Sequence, residues 1–395
     1  QRSVKLAARA KELERQHEKS WQPTLTDLVA NRAYRRGFVE RATVTAEHFI
    51  TKHQTLFEWE PLNELILSQY DSRLAQLVAC PGLLNLHGLD LTSSGLASRQ
   101  SQAFFNSRYL HQLRKLDVSG NWLGAIGVRA IFNARMDNLN ELVMTTALSQ
   151  VREAKVFGSE RLRNLKKLNL AQNNLPQVSL NSLLQACFWP TLGTLDLSEN
   201  PVGEHLHELF CAKSSNLREL ALAHCLLGDT GLERTFAPQR FCHLEKLNLS
   251  GNPVTPGIWG LLADPTRFPS LKNVALLLSE PDFFFGSPFS LEDIAGIRLF
   301  AESKVMANLT SLKTGTTESW LEALFSTANA KQLESLTLTH PTNRDDLLRM
   351  FGAKAELPSL RELTINLGNS PTKFSLKTFL ASGRFPKLVR VSGTV

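Results

Sequence analysis

The chain has 395 residues, 43% of them hydrophobic, and a formal net charge of +7 at pH 7. This is ample for a sizeable buried core, and no run of about 18 apolar residues occurs, so no transmembrane helix is predicted. Ten basic and five acidic residues fall within residues 1–41, which concentrates the positive charge there. Because glutamates are interleaved with these bases, we interpret the segment as a solvated helix and do not expect nucleic-acid binding.

Residues 1–60 are predicted to form an N-terminal helical and capping segment. A helix is expected to end before Pro23, followed by a turn at Gly37, a strand over about 38–44 and a helix from about Ala46 to Phe57. A strand and helix placed directly before a repeat array suit the atypical terminal unit that shields the open core of a solenoid.

An eleven-residue pattern, Leu-x-x-Leu-x-Leu-x-x-Asn/Cys-x-Leu, recurs over residues 61–395. Its clearest copies are LRKLDVSGNWL, LKKLNLAQNNL, LGTLDLSENPV, LRELALAHCLL and LEKLNLSGNPV. The first leucines fall at 62, 86, 113, 139, 165, 192, 217, 244, 271, 309, 333, 360 and 388. The intervals are 24 to 28 residues except for one of 38, which predicts a solenoid of about 13 repeats.

Each repeat is predicted to contain a short strand, a turn and a return helix. Apolar and polar residues alternate from Leu116 to Ser119, which indicates a strand with one buried face. In the following helix, Ile126, Ala130 and Ile131 are expected to share a buried face. The ninth position of the pattern is predicted to form a structural ladder of turn-closing side chains, made of Asn121, Asn173, Asn200, Cys225 and Asn252.

The repeat resembles the leucine-rich repeat family over roughly residues 60–395. The resemblance implies an α/β solenoid of horseshoe shape, with parallel strands on the concave face and helices on the convex face. Repeats of this length with real helices are similar to the ribonuclease-inhibitor type. The N-terminal segment, with Trp21 and YRRGFVERATV, also resembles a companion segment found ahead of such repeats in some bacterial proteins, which implies a bacterial source.

Two irregularities interrupt the array. The long repeat at 271–308 contains Phe283, Phe284 and Phe285 between Pro281 and Gly286. These rings are either a partner-binding aromatic loop or a plug that packs over the neighbouring helix, and the sequence leaves both open. The segment FPKLVRVSGTV predicts a final strand, whose unpaired edge suggests either truncation or cover by a partner or a second copy of the chain.

No catalytic motif is found, and no cofactor or small-molecule substrate is expected. The segment HELFC at 207–211 approaches a zinc-protease helix, but Cys211 stands where the second histidine is required, so no metal site is predicted. Five cysteines without a Cys-x-x-Cys pair favour free thiols and a cytoplasmic location, since the resemblance would imply disulfide-bonded caps in a secreted protein.

We therefore predict a non-enzymatic scaffold that binds a partner protein through its concave face, its rim loops and the aromatic insertion. The candidate partner-binding residues, besides the three phenylalanines, are polar positions on the predicted concave face: Lys115, Asp117, Lys167, Asn169, Asp196, Glu219 and Lys246. The alternatives are an accessory protein resembling leucine-rich repeat GTPase regulators, and a structural subunit that self-associates through its C-terminal end.

Overall fold

The computed structural model describes residues 9, 12–13, 16, 28–35, 38–68, 73–148, 151, 156–203, 206–211, 216–236, 241–277, 291–315, 318–339, 356–366 and 385–392. The chain divides into two compact units. Unit 1 comprises Gln1–Gln150 and Ser159–Leu165, and unit 2 comprises Val151–Gly158 and Lys166–Val395. Most of the predicted N-terminal helix, the turn at Gly37 and the segment Phe283 to Phe285 lie outside the described residues.

Unit 1 contains a sheet whose strands follow chain order. The first two strands pair antiparallel, and every later pair is parallel. The strands are β1 Ala30–Arg35, β2 Phe38–Thr45, β3 Glu64–Ser68, β4 Gly88–Asp90, β5 Lys115–Asp117 and β6 Glu141–Val143. The helices are α1 Ala46–Trp59, α2 Leu74–Val78, α3 Ser98–Phe105 and α4 Gly124–Asn133, with a 3-10 turn at Pro81–Asn85. The strand and helix predicted around 38–57 are thus confirmed.

Unit 2 repeats the arrangement with parallel strands throughout its described residues. The strands are β7 Lys167–Asn169, β8 Thr194–Asp196, β9 Glu219–Ala221, β10 Lys246–Asn248, β11 Asn273–Leu276, β12 Ser311–Gly315, β13 Ser335–Thr339, β14 Glu362–Asn366 and β15 Arg390–Ser392. The helices are α5 Gln177–Leu183, α6 Leu206–Cys211, α7 Asp229–Phe236, α8 Ile258–Leu262, α9 Leu291–Glu302, α10 Lys304–Asn308 and α11 Glu318–Ser326. Two 3-10 turns occur at Trp189–Thr191 and Ala328–Ala330. The strand predicted near the C-terminus is β15.

The central leucines of successive strands pair directly in both units. In unit 1 Leu89 is in register with Leu116, and in unit 2 Leu195 is in register with Leu220, which pairs with Leu247. All of these side chains are buried, at 2% exposure or less. Because neighbouring side chains on a strand point to opposite faces, the polar residues beside each leucine point outward. Each unit is therefore an α/β solenoid whose core is a stack of leucines.

The side chain at the ninth position closes the turn of the preceding repeat. In unit 2 the Asn200 carboxamide oxygen accepts the backbone N–H groups of Asn173 and Leu175, each at 3.1 Å. Its amide nitrogen donates to the carbonyl oxygens of Leu170 and Leu197, both at 2.9 Å. Equivalent bonds are made by Asn252 in unit 2 and by Asn121 in unit 1. Asn173 also donates to the Leu170 carbonyl, at 2.8 Å.

Cys225 occupies the same place in the ladder with a weaker bonding group. Its Sγ lies 3.2 Å from the carbonyl oxygen of Leu197 and 3.6 Å from that of Ala223. Burial raises the pKa of the Cys225 thiol to about 12. The thiol is therefore protonated at neutral pH and donates to carbonyl oxygens, as the asparagines do.

A second ladder, which the repeat pattern does not predict, lies just before the strands. Polar side chains directly before the first leucine of a repeat donate to a backbone carbonyl of the preceding repeat. In unit 1 Asn138 bonds to His111 and Asn164 to Asp137, at 3.0 and 2.7 Å. In unit 2 the donors are Asn216, Ser270 and Gln332, at 2.6 to 2.7 Å. Both ends of the strands are thus tied from one repeat to the next.

The predicted register of one helix was wrong. In α4 the buried side chains are Val128, Ile131 and Phe132, whereas Ile126 is 43% exposed. The buried face therefore starts one residue later, at Gly127, which meets Ser101 of the preceding helix. An added Cβ on Gly127 would lie 2.8 Å from the Ser101 Cβ, so the close approach of α3 and α4 fixes this rotation.

Candidate functional site

The outward side chains of β3 to β6 form a polar surface on unit 1, which we call the first sheet face. Two of the predicted residues, Lys115 and Asp117, lie on it. The Lys115 ammonium contacts the Glu64 carboxylate at 2.9 Å, two strands away. The hydrogen bond to Glu64 raises the pKa of Lys115, and the negative charges of Glu64 and Glu141 add to this rise. Lys115 is therefore protonated, and its positive charge is balanced by the carboxylate of Glu64.

The first sheet face has a depression where a side chain is missing. Gly88 stands between Glu64 and Lys115 in register, at a position that carries a long polar residue on both neighbouring strands. An added Cβ there would lie 2.7 Å from the Glu64 Cγ, so the side chain of Glu64 folds over the glycine. A second ion pair, Arg41 to Asp90 at 3.0 Å, borders the same depression.

The outward side chains of β7 to β13 form the second sheet face, on unit 2. It carries the other predicted residues, Lys167, Asn169, Asp196, Glu219 and Lys246. Glu219 and Lys246 are neighbours in register and form an ion pair of 2.7 Å. Since both side chains are about half exposed, this pair contributes at most about 1 kcal/mol and is weakened by salt.

Predicted binding residues at the central strand position also have a local structural role. Asp117 accepts the backbone N–H of Ser119 at 2.9 Å, and Asp196 accepts that of Ser198 at 2.9 Å. Asn169 makes the same bond to Ala171, at 2.9 Å. These bonds start the turn after each strand, because a short carboxylate or amide reaches the backbone two residues ahead. Only the second carboxylate oxygen of each aspartate is left to meet a partner.

Residue types that bind metal ions do not cluster in the part of the chain that the structure describes. Nowhere in that part do three His, Cys, Asp or Glu side chains lie close enough to hold a metal ion. His207 and Cys211 both belong to the short helix α6. Every helix in the described ranges is too short or too polar to cross a membrane.

Comparisons with known proteins identify the repeat. A leucine-rich repeat family model matches residues 109–132, 213–234 and 242–258. The chain therefore carries leucine-rich repeats, and its fold is the α/β solenoid that they form. A search of curated proteins finds no match.

Several solved structures are similar to the chain. Yeast Rad7, in a complex with Elc1, is 15% identical over 84% of each chain, with a TM-score of 0.45. The mouse RP105/MD-1 complex gives 17% identity over 86% of this chain and 55% of the other, with a TM-score of 0.44. A leucine-rich repeat protein of Leptospira interrogans gives 19% identity over 76% of each chain, with a TM-score of 0.39. At these identities and scores the matches say nothing of a shared partner or activity.

Proposed function

We propose that this chain is a non-enzymatic scaffold that binds a partner protein through its sheet faces. The observation that supports this most directly is the second sheet face, where strands in unbroken register hold outward polar side chains over a packed leucine core. A backbone fixed in this way loses little conformational freedom on binding, which favours recognition of a second macromolecule. The 24- to 28-residue repeat with return helices supports the ribonuclease-inhibitor type within the family.

Charge on these surfaces points to a protein partner of mixed sign. On the second sheet face the anionic Asp196 on β8 and Glu219 on β9 are followed by the cationic Lys246 on β10, so both signs of charge lie on three adjacent strands. A nucleic acid, which presents one sign of charge, would be repelled by the two carboxylates. A protein surface with complementary groups of both signs would be steered into one register.

A paired charge swap tests this proposal. The double variant Glu219→Lys with Lys246→Glu keeps the ion pair but reverses the charges that a partner meets. The matched control swaps Lys331 and Glu356, an exposed ion pair of 3.0 Å that is not on the sheet face. We expect wild type and the control to capture the same protein from a lysate of the native cell, with crosslinks on the second sheet face, and the Glu219/Lys246 swap to lose it. Equal capture by both swapped proteins would contradict a role for this face.

The aromatic segment calls for its own measurement, because Phe283, Phe284 and Phe285 lie outside the described residues. Replacing all three with serine should weaken partner capture while shifting the melting temperature by only a few degrees if the rings bind a partner. A large loss of stability would instead assign them to the core. Light scattering on the purified chain tests the self-association alternative, and a GTPase stimulation assay tests the regulator alternative.

A further inference from the structure

One row of side chains crosses the second sheet face from β8 to β12. Asp196, Ala221, Asn248, Ala275 and Lys313 are in direct register across these five strands. All five occupy the central outward position of their repeats. The row therefore has an anion at one end, a cation at the other and small neutral groups between them.

The middle of this row is a hollow, because two alanines stand where neighbouring strands carry longer side chains. The hollow has a volume of about 410 Å³ and is bordered by Asp196, Lys246, Lys313 and Thr337 among others. Its floor includes Ala221 and Ala275, whose methyl groups are partly exposed. A methyl floor under a polar border is suited to small apolar side chains, since burying each CH₂ group gains about 0.8 kcal/mol.

The two end charges differ from Glu219 and Lys246, the other charged groups that border the hollow, because they have no ion-pair partner among the described residues. Asp196 uses one oxygen to accept the Ser198 N–H, and no described cation faces the other oxygen. Lys313 is exposed, and its ammonium has no hydrogen-bond or ion-pair partner in the part of the chain that the structure describes. Between them, Glu219 and Lys246 neutralise each other at 2.7 Å. The charge available to a partner is thus one anion and one cation.

We propose that this hollow binds an extended protein segment with a basic residue at one end, an acidic residue at the other and small apolar residues between. The proposal rests on the scaffold function above and specifies its partner. The basic residue pairs with Asp196, the acidic residue with Lys313, and the small residues lie over Ala221 and Ala275.

The geometry fixes the spacing of the two charges in the partner. Asp196 and Lys313 are separated by four inter-strand steps of about 4.8 Å, or about 19 Å between their Cα atoms. An extended chain advances about 3.3 to 3.6 Å per residue. The basic and acidic residues of the segment should therefore be about five or six positions apart in sequence.

A displayed library of random twelve-residue peptides, selected on the full chain, tests the inference without knowledge of the natural partner. Selection on wild type is expected to enrich peptides with one basic and one acidic residue at that spacing. On Lys313→Gln the acidic preference should disappear while the basic one persists, and on Asp196→Asn the reverse should hold. The control Lys304→Gln removes an exposed lysine at the start of α10 and should enrich the same peptides as wild type.

A synthetic peptide taken from the enriched pool then gives affinities. Loss of either exposed ion pair should weaken Kd about two- to fivefold, the range for solvent-exposed pairs. Enrichment without the charge spacing, no enrichment at all, or the same preferences on Lys313→Gln as on wild type would each overturn this inference. If the peptide result is negative but the Glu219/Lys246 swap still abolishes partner capture, the scaffold function is supported and only the peptide proposal is rejected. If the peptide preference is absent and the Glu219/Lys246 swap also leaves partner capture unchanged, both proposals are rejected.

Discussion

The substitution Asn200→Ala should destabilise unit 2 far more than the removal of one polar side chain usually does. Asn200 is fully buried and is the acceptor for the backbone N–H groups of Asn173 and Leu175. The carbonyl oxygens to which it donates keep other donors. The Leu170 carbonyl retains Asn173, and the Leu197 carbonyl retains Cys225. The cost of the substitution is therefore set by the two orphaned amides.

A buried amide without an acceptor costs about 1 to 3 kcal/mol, so Asn200→Ala should cost about 2 to 6 kcal/mol in the free energy of unfolding. Cys225→Ala is the matched control at the next rung of the same ladder. Its weakly bonding thiol serves carbonyl oxygens that keep stronger donors, Asn200 for Leu197 and the Glu199 N–H for Ala223. We expect a cost of about 1 kcal/mol for the control.

Urea denaturation followed by circular dichroism measures the two costs, and hydrogen exchange locates them. In Asn200→Ala the amides of Asn173 and Leu175 should exchange much faster than in wild type, while Cys225→Ala should leave them protected. If the two variants were equally stable, or if these two amides stayed protected in Asn200→Ala, the ladder would not carry the energy assigned to it here.

Three further predictions concern two tryptophans, two cysteines and one turn glycine. Trp189→Phe removes an indole N–H that has no acceptor among the described residues, so the free energy of unfolding should change by less than about 1 kcal/mol. Trp320→Phe loses a 2.7 Å hydrogen bond to a buried threonine hydroxyl and should cost about 1 to 3 kcal/mol more than Trp189→Phe in urea denaturation. Equal costs for the two variants would refute this prediction. Alkylation at pH 8, followed by peptide mass spectrometry, should modify the exposed Cys242 and leave Cys225 unmodified until urea unfolds the chain, because burial raises the pKa of Cys225 to about 12. Modification of Cys225 in the folded chain would contradict its burial. Gly251→Ala should lower the melting temperature, because Gly251 has a φ of +71°, a conformation that costs an L-residue about 1 to 2 kcal/mol. An unchanged melting temperature would show that the turn does not require a glycine at this position.

Periodicity made most of the solenoid predictable. Because every repeat solves the same packing problem, one pattern placed the strands from β3 onward and the buried leucines. The hairpin strand β1 was not predicted, since Ala30–Arg35 lacks alternation and pairs antiparallel with β2, outside the repeat. The rotation of α4 depends on its contact with Ser101, a residue 26 positions away from Gly127, and local hydrophobicity does not report such a contact.

The surface was less predictable than the core. The polar positions on the strands follow from the register, but which of them are neutralised depends on residues one or two repeats away. Lys115 was predicted as a binding residue, and nothing in the sequence indicates that it pairs with Glu64. Lys313 was not selected, yet no described group neutralises it. The sequence does contain a signal for the hollow, because Ala221 and Ala275 occupy the central strand positions on either side of Asn248. This signal can be recognised only when the repeats are aligned.

The turn ladder runs in one direction along the chain. Asn200 completes a loop that was laid down 25 to 27 residues earlier, and Asn252 does the same for the loop at Cys225. During ribosomal synthesis each turn can therefore be closed only after the asparagine of the next repeat has been made. The most recently made turn is always the least protected. Deletions or duplications that keep whole repeats preserve this order of dependence. A shift by a fraction of a repeat would leave a bend without the side chain that locks it.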